Sequence, residues 1–187
     1  RIDLGTGEVN ALFSTIDPQT GLPPTVELGF LPPEDGTGRG QGHISFVIRA
    51  KPSLSTDTEI RNVATIVFDL GESIDTNQVD PHDPAAGTDP TKEALVTIDA
   101  DAPTSSVEAL PAESMPEFTV SWEGEDEGAG VATYTVYVKM DGGLFTPWLT
   151  DTALSEEVYT GLPGHTYGFY SIATDEVGYI ESAKTVA

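Results

Sequence analysis

The feature that most constrains this chain is its hydrophobic period. In "HISFVIRAK" (His43 to Lys51) the residues Ile44, Phe46 and Ile48 fall on one face, and in "EIRNVATIVFD" (Glu59 to Asp69) Ile60, Ala64, Ile66 and Phe68 do the same. A spacing of two is that of a half-buried strand, and no long stretch carries the 3.6-residue spacing of an amphipathic helix. The alternating runs are short and are broken by clusters of Gly, Pro and Asp, for which the 19 Gly and 14 Pro supply the turn chemistry. The expected fold class is all-β, with two β-sandwich modules in tandem and less than about a tenth helix.

The boundary between the modules is expected where the pattern lapses. "DTNQVDPHDPAAGTDP" (Asp75 to Pro90) has no apolar period and is rich in Pro, Asp and Gly, as linkers are. This places a first module at 1–80, a linker at 81–98 and a second module at 99–187, with "EALVTI" either a stiff bridge or a short strand of one neighbour. Module one offers strands near 7–17 and 26–31 besides the two alternating runs, whereas a sandwich needs about seven. It reads as incomplete, its remaining strands either cut away or contributed by another chain. The opening residue is Arg1 with no methionine, so the sequence reads as an internal piece of something longer.

Charge limits the partners. Eight Lys+Arg against 31 Asp+Glu give a formal charge of -23, which opposes approach to nucleic acid or to anionic lipid. The same charge repels itself in a compact state, and bound cations or ambient salt relieve it. There is no cysteine, hence neither a disulfide nor a thiolate metal site. No run of about 18 apolar residues exists, so no membrane insertion by a helix is expected.

Enzyme motifs are missing. There is no Gly-x-Ser-x-Gly, no Gly-rich phosphate loop and no His-Glu-x-x-His, and His43, His82 and His165 are far apart in sequence. The chain is read as not an enzyme. Asp-Pro bonds occur at Asp17-Pro18, Asp80-Pro81, Asp83-Pro84 and Asp89-Pro90, where self-cleavage is conceivable, but turn chemistry accounts for them more simply.

Two resemblances add to this reading. "FTVSW" with Trp122, "YTVYVKMDGG" running into an Asp-Gly turn, and "GLPGHTYGFYSIATDEVG" together resemble fibronectin type III or bacterial Ig-like modules over about residues 101–187. In that family Leu162 and Tyr167 would form the corner that packs the second sheet. "STIDPQTGLPP", "GFLPPEDGTGRGQGHISFVI" and "EIRNVATIVFD" followed by "IDTN" are similar to a repeat of very long secreted bacterial proteins, over about residues 6–78. That likeness implies a modular, extracellular or cell-surface, non-catalytic setting.

A fibronectin-like fold would gather three acidic segments at one pole: "DADAP" (Asp99 to Pro103), "EGEDEGAG" (Glu123 to Gly130) and "ATDEVG" (Ala173 to Gly178). Calcium takes six to eight oxygens without strict symmetry, and cadherins and bacterial Ig-like adhesin repeats hold such ions between successive modules. The candidate ligands are Asp99, Asp101, Glu125, Asp126 and Asp175, against the plainer reading of solvated linker and turn residues. A weaker candidate is a sugar-stacking pair, Tyr137 and Trp148. Tyr137 alternates with Tyr134, Val136 and Val138 and so faces outward.

The expected function is structural: a spacer and adhesion or matrix segment of a secreted or surface bacterial protein, with calcium fixing the joint between modules. Its partners would be neighbouring modules, other copies or surface glycans. One alternative is a carbohydrate-binding or accessory module of an extracellular enzyme. Another is a filament subunit whose open module is completed by a neighbour's strand.

Overall fold

A computed structural model of the chain describes residues 1–25, 34–38, 41–68 and 71–184. The chain divides into two units, Arg1–Ala50 and Lys51–Ala187.

In Arg1–Ala50 the described residues form no strand, and an isolated bridge joins Ile2 to Val9. It closes a turn in which the Asp3 carboxylate accepts the Gly5 N–H at 2.8 Å, and Gly7 adopts φ 77°. The strands expected near 7–17 and over 43–51 are therefore not formed. Ile44, Phe46 and Ile48 stand 47, 45 and 63% exposed. Alternation alone does not bury a face: a strand also needs a partner for its backbone and a core to lie on. The strand expected near 26–31 falls outside the described residues.

Unit Lys51–Ala187 is nearly all β. Its first half holds β1 (Thr58–Asn62), β2 (Thr65–Ile66), β3 (Ile74–Asp75), β4 (Gln78–Asp80), β5 (Asp83–Thr88) and β6 (Ala94–Ile98). These pair antiparallel as β1 with β6, β2 with β3 and β4 with β5, and Ile60 lies opposite Val96. Residues 81–98, expected as linker, thus carry two strands. Asp80 and Asp83 pair across a tight turn, and "EALVTI" supplies the partner that β1 lacks in its own neighbourhood. Among the described residues the helical content is one 3-10 turn, Pro90–Lys92, and no helix is long and apolar enough to cross a membrane.

All four aspartates that precede proline act in the same way. Asp17, Asp80, Asp83 and Asp89 each accept the backbone N–H two residues on, at 2.8, 2.8, 3.0 and 2.9 Å. Carboxylates so engaged are holding turns.

Six more strands build a two-sheet sandwich: β7 (Thr104–Val107), β8 (Glu117–Glu125), β9 (Val131–Met140), β10 (Thr146–Thr152), β11 (Glu156–Thr160) and β12 (Tyr167–Asp175). One sheet has the order β11-β8-β7 and the other β10-β9-β12, all neighbours antiparallel. Val120 and Trp122 of the first sheet meet Val136 of the second in a core extended by Phe118, Trp148, Tyr159 and Phe169. Each large apolar side chain buried there contributes about 1.5–3 kcal/mol. The Trp122 indole N–H is satisfied by the Leu154 carbonyl at 2.8 Å, as a buried donor must be.

Two devices close the sandwich. The Tyr167 hydroxyl accepts the Leu162 N–H at 2.8 Å, with its ring directly over Gly161. Leu162 itself is 62% exposed, so this corner is a main-chain tether and Tyr167 supplies the packing, against Tyr159. On the other side, residues beyond β12 bridge the two sheets. The Glu181 carboxylate accepts the N–H groups of Ser105 and Ala173 at 3.0 and 2.9 Å, and Lys184 donates to the carbonyls of Ser105 and Ser171 at 2.5 and 2.6 Å.

Candidate metal centre

Three loops of the sandwich end on carboxylates that face one another. Asp99 follows β6, Asp126 follows β8, and Asp175 closes β12. One carboxylate oxygen from each lies within 4.8 Å of the other two.

Each aspartate is fixed by the backbone of its own loop. Asp175 is 3% exposed, and its Oδ1 accepts three successive N–H groups, from Val177, Gly178 and Tyr179, at 2.9, 2.6 and 2.8 Å. Gly178 takes φ 98°, a conformation that side chains disfavour and that this tight wrap requires. The Asp126 Oδ2 accepts the N–H groups of Gly128 and Gly130 at 3.0 and 2.8 Å. Asp99 reaches across chain segments: its Oδ2 accepts the Ala129 N–H at 2.7 Å and its Oδ1 the Asp101 N–H at 3.2 Å. A further main-chain bond, Glu176 N–H to the Gly130 carbonyl at 3.0 Å, ties the second loop to the third.

These bonds use one oxygen of Asp126 and one of Asp175 and leave the others without a partner. Asp126 Oδ1 and Asp175 Oδ2 are buried and accept no hydrogen bond. An unpaired buried carboxylate oxygen costs more than a lost hydrogen bond, and three carboxylates this close repel one another. A cation among them removes both costs. Neither imidazole nor thiol belongs to the cluster, so the donors suit a hard, oxygen-seeking ion.

Two of the expected ligands stand apart. Asp101 is exposed and is engaged by the Thr56 hydroxyl at 2.6 Å, and Glu125 is exposed at the end of β8. Both line an open groove that Asp126 also borders, together with Glu127 and Tyr134. Strand alternation explains Glu125: along β8 it falls on the face opposite to Val120, Trp122 and Gly124, so its side chain turns out.

Sequence reading missed two residues. Thr56 joins the segment ahead of β1 to this pole, since its hydroxyl also accepts the Ala100 N–H at 2.9 Å, beside the Asp57 N–H to Ile98 carbonyl bond of 2.9 Å. Forty-odd intervening residues hid that approach. Gly128 is the other: the Asp99 carboxylate lies where its side chain would be, and only its place in a Gly-rich acidic loop hinted at this.

A domain of unknown function, DUF7619, matches residues 27–82. That match covers well under half of the chain and ends before Asp99. No curated protein and no solved structure matches the chain.

The aromatic candidates separate. Trp148 packs edge-on against Trp122, Tyr159 and Phe169 with centroids at 6.2, 5.3 and 5.7 Å, on the core side of its sheet. Tyr137 lies on the opposite face and stacks on Tyr170 at 4.6 Å and 7°, with Phe145 edge-on to Tyr170 at 4.7 Å. The parallel stack turns one face of each tyrosine ring toward the other.

Proposed function

We propose that this chain is a non-catalytic structural and adhesion segment of a long secreted or surface-bound bacterial protein, in which calcium stiffens the joint between a fibronectin type III-like sandwich and the sheets that precede it. The observation that carries this reading is the pair of buried, unpartnered oxygens on Asp126 and Asp175 within a three-aspartate cluster. The strand order β11-β8-β7 against β10-β9-β12, with Trp122 in the core and the Tyr167 tether, supports the fibronectin-like part.

Calcium fits better than magnesium here. Magnesium demands octahedral geometry and keeps its waters, whereas calcium accepts a mixed, irregular set of carboxylates, carbonyls and water. The ion would bind the β6–β7 junction to two sandwich loops through Asp99, and Thr56 would extend the same fixation to the segment before β1. A joint held in this way transmits orientation from module to module, as a spacer in a surface protein must.

The test is the melting temperature of the whole chain in calcium, in magnesium and in chelator. Linkage predicts about 2.7 kcal/mol of stabilisation at a hundred times the dissociation constant. Asp126→Asn and Asp175→Asn should abolish the calcium increment, and Glu125→Gln should leave it intact. Equal melting in calcium and chelator would refute the reading, as would an equal response to both divalent ions, which is screening alone.

A further inference from the structure

A small pocket of about 100 Å³ lies beside the acidic cluster, and all three ligand loops contribute to its wall: Asp99 itself, Gly128 and Ala129 from the loop of Asp126, and Val177 from the loop of Asp175. One more carboxylate residue lines it. This is Asp57, from the turn ahead of β1, more than forty residues away in sequence.

The backbone of Asp57 is tied to the strand that delivers Asp99. Its N–H donates to the Ile98 carbonyl at 2.9 Å, and the preceding hydroxyl, that of Thr56, is bonded to Ala100 and Asp101. The residue is held at φ 66°, in the left-handed region that glycine enters freely and aspartate at a cost. Asp99, Asp101, Asp126 and Asp175 all accept hydrogen bonds through their carboxylates. Among the described residues no group donates to the Asp57 carboxylate.

The case for an ion in the cluster does not depend on its charges alone, since Asp175 is 3% exposed and its Oδ2 meets no donor. Calcium takes six to eight oxygens, and three aspartates giving one oxygen each leave positions for water. The pocket has room for a few water molecules. We propose that, with calcium in the three-aspartate cluster as read above, Asp57 is a positioning residue of that site, its carboxylate holding across the pocket the water that completes the ion's shell. The ion would then grip the turn before β1 as well as the three sandwich loops. Without the ion, Asp57 adds a fourth negative charge to carboxylates that already repel one another, so the turn is pushed away. Occupancy of the site thereby decides whether the residues before β1 are fixed to the sandwich or released from it.

Calorimetric titration of the whole chain with calcium chloride at physiological ionic strength tests this. Asp57→Asn removes the charge but keeps a residue that tolerates the left-handed turn. It should weaken calcium roughly tenfold or more, as the loss of an outer-shell partner does, with the melting temperature in chelator not lowered. Glu127→Gln removes an exposed carboxylate next to Asp126 that lines the other groove, and should weaken calcium about twofold or less, the effect of a screened charge alone. Calcium should also slow hydrogen exchange at the Asp57 amide in the parent. An Asp57→Asn chain that binds no more weakly than Glu127→Gln overturns the role of Asp57 and leaves the calcium reading standing. So does an Asp57 amide whose exchange calcium does not slow in a parent that binds the ion. A parent that takes up no calcium overturns both. Should Asp57→Asn not fold, Asp57→Gly takes its place, because the left-handed turn suits glycine, and the same loss of affinity is expected.

Discussion

The carboxyl carbon of Asp99 lies 2.2 Å from the point at which a Cβ on Gly128 would stand. No real pair of atoms can be that close, so any side chain at 128 displaces Asp99 from the cluster. If the cluster holds calcium as proposed, Gly128→Ala should therefore cut the rise in melting temperature that calcium produces. The affected state is the ion-bound one, by about 1–3 kcal/mol in the range of overpacked sites. In chelator the displaced Asp99 gives up only the bonds it accepts from Ala129 and Asp101, so the variant should fall below the parent by less than it does in calcium. Differential scanning calorimetry with and without calcium checks both halves.

Glu181 gives a pH prediction. Burial works to raise its carboxyl, but hydrogen bonds from Ser105, Ala173 and Lys184 outweigh burial and hold it below the ordinary range. A carboxylate whose folded pKa is depressed contributes stability that is present above the unfolded value and is lost as pH falls through the folded one. Denaturant midpoints should accordingly decline on acidification through and below the usual carboxylate range. Glu181→Gln should be less stable at neutral pH and lose part of that slope.

Tyr167→Phe removes the hydroxyl that accepts the Leu162 N–H and leaves the ring in place over Gly161. The expected loss is about 1 kcal/mol, seen as a lower urea midpoint at unchanged slope. A change in slope would mean that the tether also governs how compact the sandwich is.

Trp122→Ala should be far more damaging. It opens a cavity between Val120, Val136 and Trp148 and orphans the Leu154 carbonyl, so about 3–5 kcal/mol is expected, measured by equilibrium unfolding. Trp122 is no member of the acidic cluster, so most of that loss should appear in calcium and in chelator alike if the variant still folds.

Much of the sandwich was legible because each of its signals is local. "FTVSW" places Trp122 on β8, and the Asp-Gly-Gly after Met140 turns β9 toward β10, with Asp141 and Gly142 at φ 50° and 73°. The cluster was legible in part. Asp99, Asp126 and Asp175 sit where acidic segments adjoin strand ends, but so do Asp101 and Glu125, and which carboxylate turns inward depends on one-residue parity that composition does not carry. The segment before residue 58 was misread because "HISFVIRAK" has a strand's pattern, and a pattern says nothing about whether a partner is present. The supposed linker failed for the converse reason. β5, "DPAAGT", has no apolar alternation, and its pairing with β4 follows from the turn that Asp80 and Asp83 close.

The bridge between β7 and the residues after β12 has a mechanical meaning. Ser105 lies where the chain enters the sandwich, and Glu181 and Lys184 lie where it leaves, so the two ends of this module are fastened directly to each other. Tension applied along the chain is then borne first by a group of short polar bonds loaded together and in shear. Trp122 and its neighbours remain shielded until that group gives way. A module clasped at its own ends holds its length under a steady pull and yields abruptly, and acid, by protonating Glu181, would lower the force at which it does so.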